Sequence, residues 1–189
     1  GIYDSYIAYT KDNPSNEAKL KVYLTYKIVL KNESSIPYVK VKGLRNYADA
    51  QLDFKDSYIE GGKKVAWSKD ETTNDSVRNI WQSEEVNTFI ESGKMATVYL
   101  KYELKTNAIV ALANLKENIV SNTTEITAYS SYDSNKKAYA GIDKDSAPGN
   151  IIYGNTNTYE DDTDSAPALK ITRKSSKTIS GLVFEDETT

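Results

Sequence analysis

Residues 19–31 read Lys19-Leu20-Lys21-Val22-Tyr23-Leu24-Thr25-Tyr26-Lys27-Ile28-Val29-Leu30-Lys31. The even positions are apolar or aromatic throughout. The odd positions are Lys, Tyr, Thr or Lys again, with Val29 the one aliphatic side chain among them. Alternation of period 2 over this length gives an extended strand one dry and one wet face. A second run repeats the pattern: Ala96, Val98, Leu100, Tyr102 and Leu104 alternate with Thr97, Tyr99, Lys101, Glu103 and Lys105. Strands with a single wet face belong to two antiparallel sheets packed dry side to dry side, not to a parallel α/β core. The fold predicted is all-β, an antiparallel β-sandwich.

Shorter strand signals surround these two runs. Ile2–Tyr9, Tyr38–Val41, Gln51–Lys55, Tyr58–Ile59, Val65–Trp67, Arg78–Gln82, Glu125–Tyr132, Ile151–Tyr153, Leu169–Thr172 and Ile179–Phe184 are aromatic, β-branched or alternating. Turn clusters separate them, among them Asn32-Glu33-Ser34-Ser35 and the hairpin signal Gly61-Gly62. Helix is scarce. A short turn or helix is expected at Gly43–Asp49 and a single helical turn at Glu84–Glu91. Asn107–Asn118 reads equally as helix, from its Ala and Leu, or as a buried strand, from Ile109 and Val110.

The composition excludes several classes of function. The chain has 189 residues, a net charge of −3, no cysteine and no histidine. It is long enough to bury a core without covalent staples. The mild acidity speaks against nucleic acid as a partner. No apolar run is long enough to span a bilayer, and Gly1-Ile2-Tyr3-Asp4 has none of the marks of a signal peptide. Without Cys there is no disulfide framework, thiolate nucleophile or Cys-bound zinc. Without His the usual general base is missing. Fifteen tyrosines and a high Thr content suit half-buried strands of an extracellular β-protein.

One motif occurs twice. Asp143-Lys144-Asp145-Ser146-Ala147-Pro148 returns as Asp162-Thr163-Asp164-Ser165-Ala166-Pro167, the second copy preceded by Glu160 and Asp161. Both lie in 133–167, a long acidic loop region rich in Asp, Ser, Asn and Gly; long loops of this kind are usually functional or metal-organised. Calcium takes six to eight hard oxygens, and two D-x-D turns with backbone carbonyls could supply them. Asp143, Asp145, Asp162 and Asp164 are the candidate Ca²⁺ ligands, with Asp161 and Asn150 in reserve. The competing account is local: Asp and Ser close Asx-type turns, and Pro stiffens the exit.

The order of motifs along 20–132 resembles the Ig-like repeat modules of Gram-positive cell-wall-anchored surface proteins and adhesins. Those modules read as a strand ending in Y-x-I-x-x-x-N-x-S, a V-x-V strand and then L-x-F. Tyr26, Ile28, Asn32, Ser34, Val39, Val41, Leu52 and Phe54 fill these slots, and Asn46 stands where the family often has Asp. Ser121–Tyr132 resembles the closing strand, with Thr124 in its small-residue slot. Lys177–Thr189 resembles the first strand of a B-type domain, as in serine-aspartate-repeat proteins, through Ile179, Gly181, Val183, Phe184 and Asp186.

The resemblance implies an Ig-like sandwich over 1–176, with 177–189 a last strand or the start of the next module. It implies an extracellular, wall-anchored protein whose anchor is not in this sequence, with neighbouring modules, a host protein or a glycan as partners. It also raises the Lys–Asn isopeptide bond that many such modules carry, which needs a Lys, an Asn and an acid buried together. Lys19, Lys21 or Lys27 with Asn122 and Glu125 or Asp53 are the candidates, but these lysines lie on the wet face of their strand.

The function read from the sequence is a non-enzymatic structural or adhesive module, with Ca²⁺ as a candidate stiffener. The alternative is a host-ligand or carbohydrate-binding domain of an adhesin. A carboxylate-based hydrolase is the remote third, since paired acids are plentiful but their geometry is not legible. Asn32, Asn74 and Asn122 head glycosylation sequons, which matter only in a eukaryotic source.

Overall fold

The computed structural model describes residues 7–9, 22–73, 75, 77–105, 119–139, 163–166, 169–170 and 173–175. Fourteen strands follow in chain order: β1 (Ile7–Tyr9), β2 (Val22–Lys31), β3 (Tyr38–Asp49), β4 (Leu52–Ile59), β5 (Trp67–Lys69), β6 (Arg78–Ser83), β7 (Ile90–Glu91), β8 (Met95–Leu104), β9 (Ile119–Val120), β10 (Asn122–Tyr132), β11 (Ala138–Tyr139), β12 (Thr163–Ser165), β13 (Leu169–Lys170) and β14 (Arg173–Ser175). The described residues contain no helix, hence none long and apolar enough to cross a membrane.

Two antiparallel sheets make the body. The smaller has three strands in the order β2-β8-β4. β2 pairs β8 without interruption from Val22↔Leu104 to Lys31↔Met95. The larger has seven strands, along the path β11-β10-β3-β6-β5, with β12 also on β10 and β7 also on β3. Two small pairings, β1 with β14 (parallel) and β13 with β9, stand apart from them.

The dry faces meet as the alternation predicts. Leu24 and Leu30 of β2, Leu52 of β4, and Val98, Leu100, Tyr102 and Leu104 of β8 form one cluster with Val41, Leu44 and Ala48 of β3 and with Val86, Ile90 and Val120. An aromatic wedge crosses the interface: the Phe54 ring centroid lies 4.8 Å from Trp81, 5.6 Å from Tyr102 and 6.2 Å from Trp67. The fold is the all-β antiparallel sandwich expected.

Two local expectations fail. Gly43–Asp49 is neither turn nor helix; it continues the strand begun at Tyr38, so β3 runs twelve residues. The glycine marks a bulge, where the β3–β10 register shifts twice around Ala128. A Cβ on Gly43 would stand 2.6 Å from Thr127 Oγ1, so the close approach requires glycine. Glu84–Glu91 is irregular rather than helical, with a tight turn in which Thr88 N–H donates to Val86 O at 2.7 Å, and ends in β7. Val86 explains this: it is fully buried, and its N–H donates to Val41 O at 3.0 Å, a tertiary contact that outweighs helix propensity. Gly61 and Gly62 do form a tight turn, both at positive φ, after β4. The ambiguous 107–118, the strands expected at 151–153 and 179–184, and the terminal 177–189 lie outside the described residues.

Candidate functional site

The wet face of the three-stranded sheet gathers the residues that the alternation left outward. Strand pairing sets them in rows: Tyr23–Glu103–Asp53, Thr25–Lys101–Asp56, Lys27–Tyr99–Tyr58, and Val29 beside Thr97. The Tyr58 and Tyr99 rings stack at 5.1 Å and 25°. Lys101 Nζ lies 4.5 Å from the centre of the Tyr23 ring, a cation–π contact. Tyr23, Val29 and Met95 are 45%, 47% and 61% exposed. Three of the five large hydrophobic side chains exposed among the described residues therefore share this one face. Apolar and aromatic groups on an open sheet surface are the composition of a protein-contact patch.

Charge rims this face. Lys55 Nζ meets Glu103 at 3.1 Å, and Lys105 meets Asp53 at 3.7 Å. The bond to Glu103 raises the Lys55 pKa, and the bond from Lys64 lowers that of Asp56. Both ion pairs are exposed enough to contribute little to stability. They orient the rim.

An open groove of about 610 Å³ lies elsewhere, lined by Lys40, Lys64, Val65, Ala66, Glu84, Glu85 and Asn87. Lys40, Lys64 and Glu85 among its charges are paired. Lys40 donates to Glu85 at 3.1 Å and to Asn87 at 3.2 Å, and Lys42 donates to Glu85 at 2.6 Å. These bonds from Lys42 and Lys40 hold the Glu85 carboxyl below its usual range. An acid clamped by two ammonium groups is a poor proton donor.

A hydrogen-bonded polar group bridges the interior of the sandwich. Tyr102 Oη donates to Asn46 Oδ1 at 2.5 Å, and Asn46 Nδ2 donates to Thr124 Oγ1 at 2.7 Å and to Thr123 O at 3.1 Å. Tyr102 and Asn46 are both fully buried. The bond runs from one sheet to the other and fixes their register, as buried polar networks do when satisfied. Burial pushes the Tyr102 hydroxyl far above its ordinary pKa. Burial, with Asp49 nearby, pushes Tyr26 up to about 12.

Of the six candidate Ca²⁺ ligands, Asp143, Asp145, Asp161, Asp162 and Asn150 lie outside the described residues. Asp164 sits on β12 opposite Thr124 of β10; it is exposed, and its Oδ1 accepts the Ser165 N–H at 2.8 Å. Among the described residues no group of three or more acidic side chains is placed to hold a metal.

The isopeptide candidates that are described do not converge. Lys27 is exposed on the three-stranded sheet, and Asp53 lies on that sheet's wet face. Asn122 and Glu125 are on β10 of the other sheet, three residues apart and so on opposite faces of one strand. Lys19 and Lys21 lie outside the described residues. Glu125 is nonetheless fully buried and accepts the Tyr47 hydroxyl at 3.0 Å.

Sequence reasoning missed the Tyr58–Tyr99 pair and the Asn46–Tyr102 bond. A signal for the first was present: the wet positions of the two long runs spell Tyr23-Thr25-Lys27 and Thr97-Tyr99-Lys101. Which strand lies beside which was not legible.

No family model matches the chain, and no curated protein matches it. Among solved structures, a non-cellulosomal cohesin from the hyperthermophilic archaeon Archaeoglobus fulgidus is similar at 12% identity and a TM-score of 0.33, over 62% of this chain and 72% of that one. Similarity at that level lends no argument about function.

Proposed function

We propose that the chain is a non-enzymatic structural and adhesive module of a bacterial cell-surface protein, and that it meets its partner with the wet face of the β2-β8-β4 sheet. The observation that carries this reading is the gathering of Tyr23, Tyr58, Tyr99, Val29 and Met95 on one sheet face, with ion pairs at its rim. An aromatic face of this kind suits a protein surface or a sugar ring laid across it. The motif order from Tyr26 to Phe54 supports the Gram-positive, wall-anchored setting. In that setting, modules strung in series would hold the contact face away from the wall.

The alternative, a domain that itself adheres to a host protein or glycan, is favoured by the stacked tyrosine pair, because such rings are platforms for apolar sugar faces. Ca²⁺ bound by Asp143, Asp145, Asp162 and Asp164 remains part of the proposal as a stiffener of the acidic segment. Thermal unfolding in EDTA and then in excess Ca²⁺ tests it. A raised midpoint that Asp164→Ala abolishes supports the site, and an unchanged midpoint reduces the repeat to turn chemistry.

The face is tested by retention of the protein on immobilised extracellular-matrix proteins and on an array of purified glycans. Wild-type protein is expected to bind at least one probe, and Tyr58→Ala/Tyr99→Ala to lose that binding with its melting temperature kept. Equal binding by the variant would overturn the assignment of the face.

A further inference from the structure

Among the described residues β2 is an edge strand. It is ten residues long, has no proline and no bulge, and pairs only β8 among the described residues. In an antiparallel ladder, alternate residues turn their N–H and C=O groups toward the partner and away from it. The parity here is fixed at the two ends of the sheet. Asn32 N–H donates to Lys94 O at 3.0 Å, so even residues of β2 face β8. Glu60 N–H donates to Thr97 O at 2.9 Å, so odd residues of β8 face β4. Both observations turn the backbones of Tyr23, Thr25, Lys27, Val29 and Lys31 outward to the open edge. Native edges are usually blunted by bulges, prolines or inward charges. None of these is present on β2.

The side chains on this edge form a pattern that complements itself. Tyr23 and Val29, 45% and 47% exposed, stand three residues either side of Tyr26. Antiparallel pairing of β2 with β2 about Tyr26 sets Tyr23 opposite Val29 of the second copy, and Thr25 opposite Lys27. On the dry face it sets Leu24 opposite Ile28 and Val22 opposite Leu30. All the outward-facing residues from Tyr23 to Val29 then fall in hydrogen-bonded pairs, giving about eight new backbone bonds. Lysine is the one edge-protecting feature present. Lys31 is already ion-paired with Glu33, and Lys27 meets Thr25 rather than its own copy. Val22, Tyr26 and Ile28 are only half-buried on the dry side, as expected where the sandwich is open at that edge.

We infer that this edge is a self-association surface: two copies of the chain join through β2 in an isologous, antiparallel pair. The two small sheets become one continuous sheet, and the tyrosine-bearing faces lie side by side. The inference does not depend on what the wet face binds.

Sedimentation velocity from about 1 μM to about 1 mM tests it. Wild-type protein is expected to shift from monomer toward dimer mass with concentration. Thr25→Pro removes an N–H that points away from β8, so the variant keeps the fold while losing an edge donor. It is expected to stay monomeric, at least tenfold weaker in association. Val29→Lys leaves the backbone intact and puts a charge opposite Tyr23; it is expected to weaken association too, which keeps the test decisive should the proline variant unfold. Tyr58→Ala, on the face and away from the edge, is expected to dimerise like wild type. A wild-type protein that stays monomeric throughout the range overturns the inference. So does a dimer untouched by Val29→Lys, or one lost in Tyr58→Ala.

Discussion

The two sheets solve the same packing problem differently. The three-stranded sheet is the more regular: β2 and β8 alternate and pair over their whole shared length, the one register shift falls between Phe54 and Asp56 of β4, and the wet face carries the exposed Tyr23, Val29 and Met95. The seven-stranded sheet has two long central strands, β3 and β10, edged by short ones; it is bulged at Gly43 and polar inside at Asn46. Part of its outer surface is buried as well. Tyr47, Ile80 and Glu125 turn away from the core, yet all are nearly inaccessible. A sheet buried on both faces carries polar groups on both, and it pairs Tyr47 with Glu125 on one side and Asn46 with Tyr102 on the other. The open sheet is the half with surface to offer a partner, and the irregular sheet is the half that locks the sandwich.

The largest effect that would break this contrast is expected in the central strand. Leu100 is fully buried, so Leu100→Ala should cost about 2–5 kcal/mol in chemical denaturation. A loss below about 1 kcal/mol would mean that the dry faces are not packed as described. Next comes the bond between the sheets. Tyr102→Phe and Asn46→Ala should each destabilise by about 1–3 kcal/mol by stranding a buried partner. Their double mutant should show a coupling of at least about 0.5 kcal/mol; full additivity would deny the bond any clamping role.

Alkali probes the same locus. Burial holds the Tyr26 phenol neutral, with a folded pKa of about 12 against an ordinary value of 10.0. Its stabilising contribution is complete below the unfolded value and is lost as pH rises from there through the folded one. The melting temperature should fall across that window, and less steeply in Tyr26→Phe. A flat profile would contradict the burial. Smaller still, Gly43→Ala should cost about 1 kcal/mol through its clash with Thr127 Oγ1, and Thr127→Ala should relieve it. On the open face, Tyr58→Ala should leave stability within about 0.5 kcal/mol while changing binding.

The regular sheet was legible because period 2 over ten residues admits one reading. The irregular sheet was legible only in pieces. Gly43 inside Tyr38–Asp49 looked like an end to the strand, although it is the glycine that lets the strand continue past Thr127. Glu84–Glu91 read as a single helical turn, while the burial of Val86 comes with a contact to Val41 that lies 45 residues back along the chain. Asn46 was noticed as a departure from an acidic family position, but its role as acceptor for Tyr102 depends on sheet-to-sheet register, which no local pattern encodes. The tyrosine face was half legible: the odd positions announced wet tyrosines, and only pairing showed that Tyr58 and Tyr99 stack.

The claim at the centre of this account is that the open sheet is the working surface. It is tested most directly by comparing Tyr58→Ala/Tyr99→Ala with Lys40→Ala/Glu85→Ala on the protein and glycan array, with melting temperatures measured alongside. The account predicts that the tyrosine variant loses binding by tenfold or more while the groove variant binds as wild type. Binding that survives in the tyrosine variant, or disappears with the groove variant instead, would contradict it.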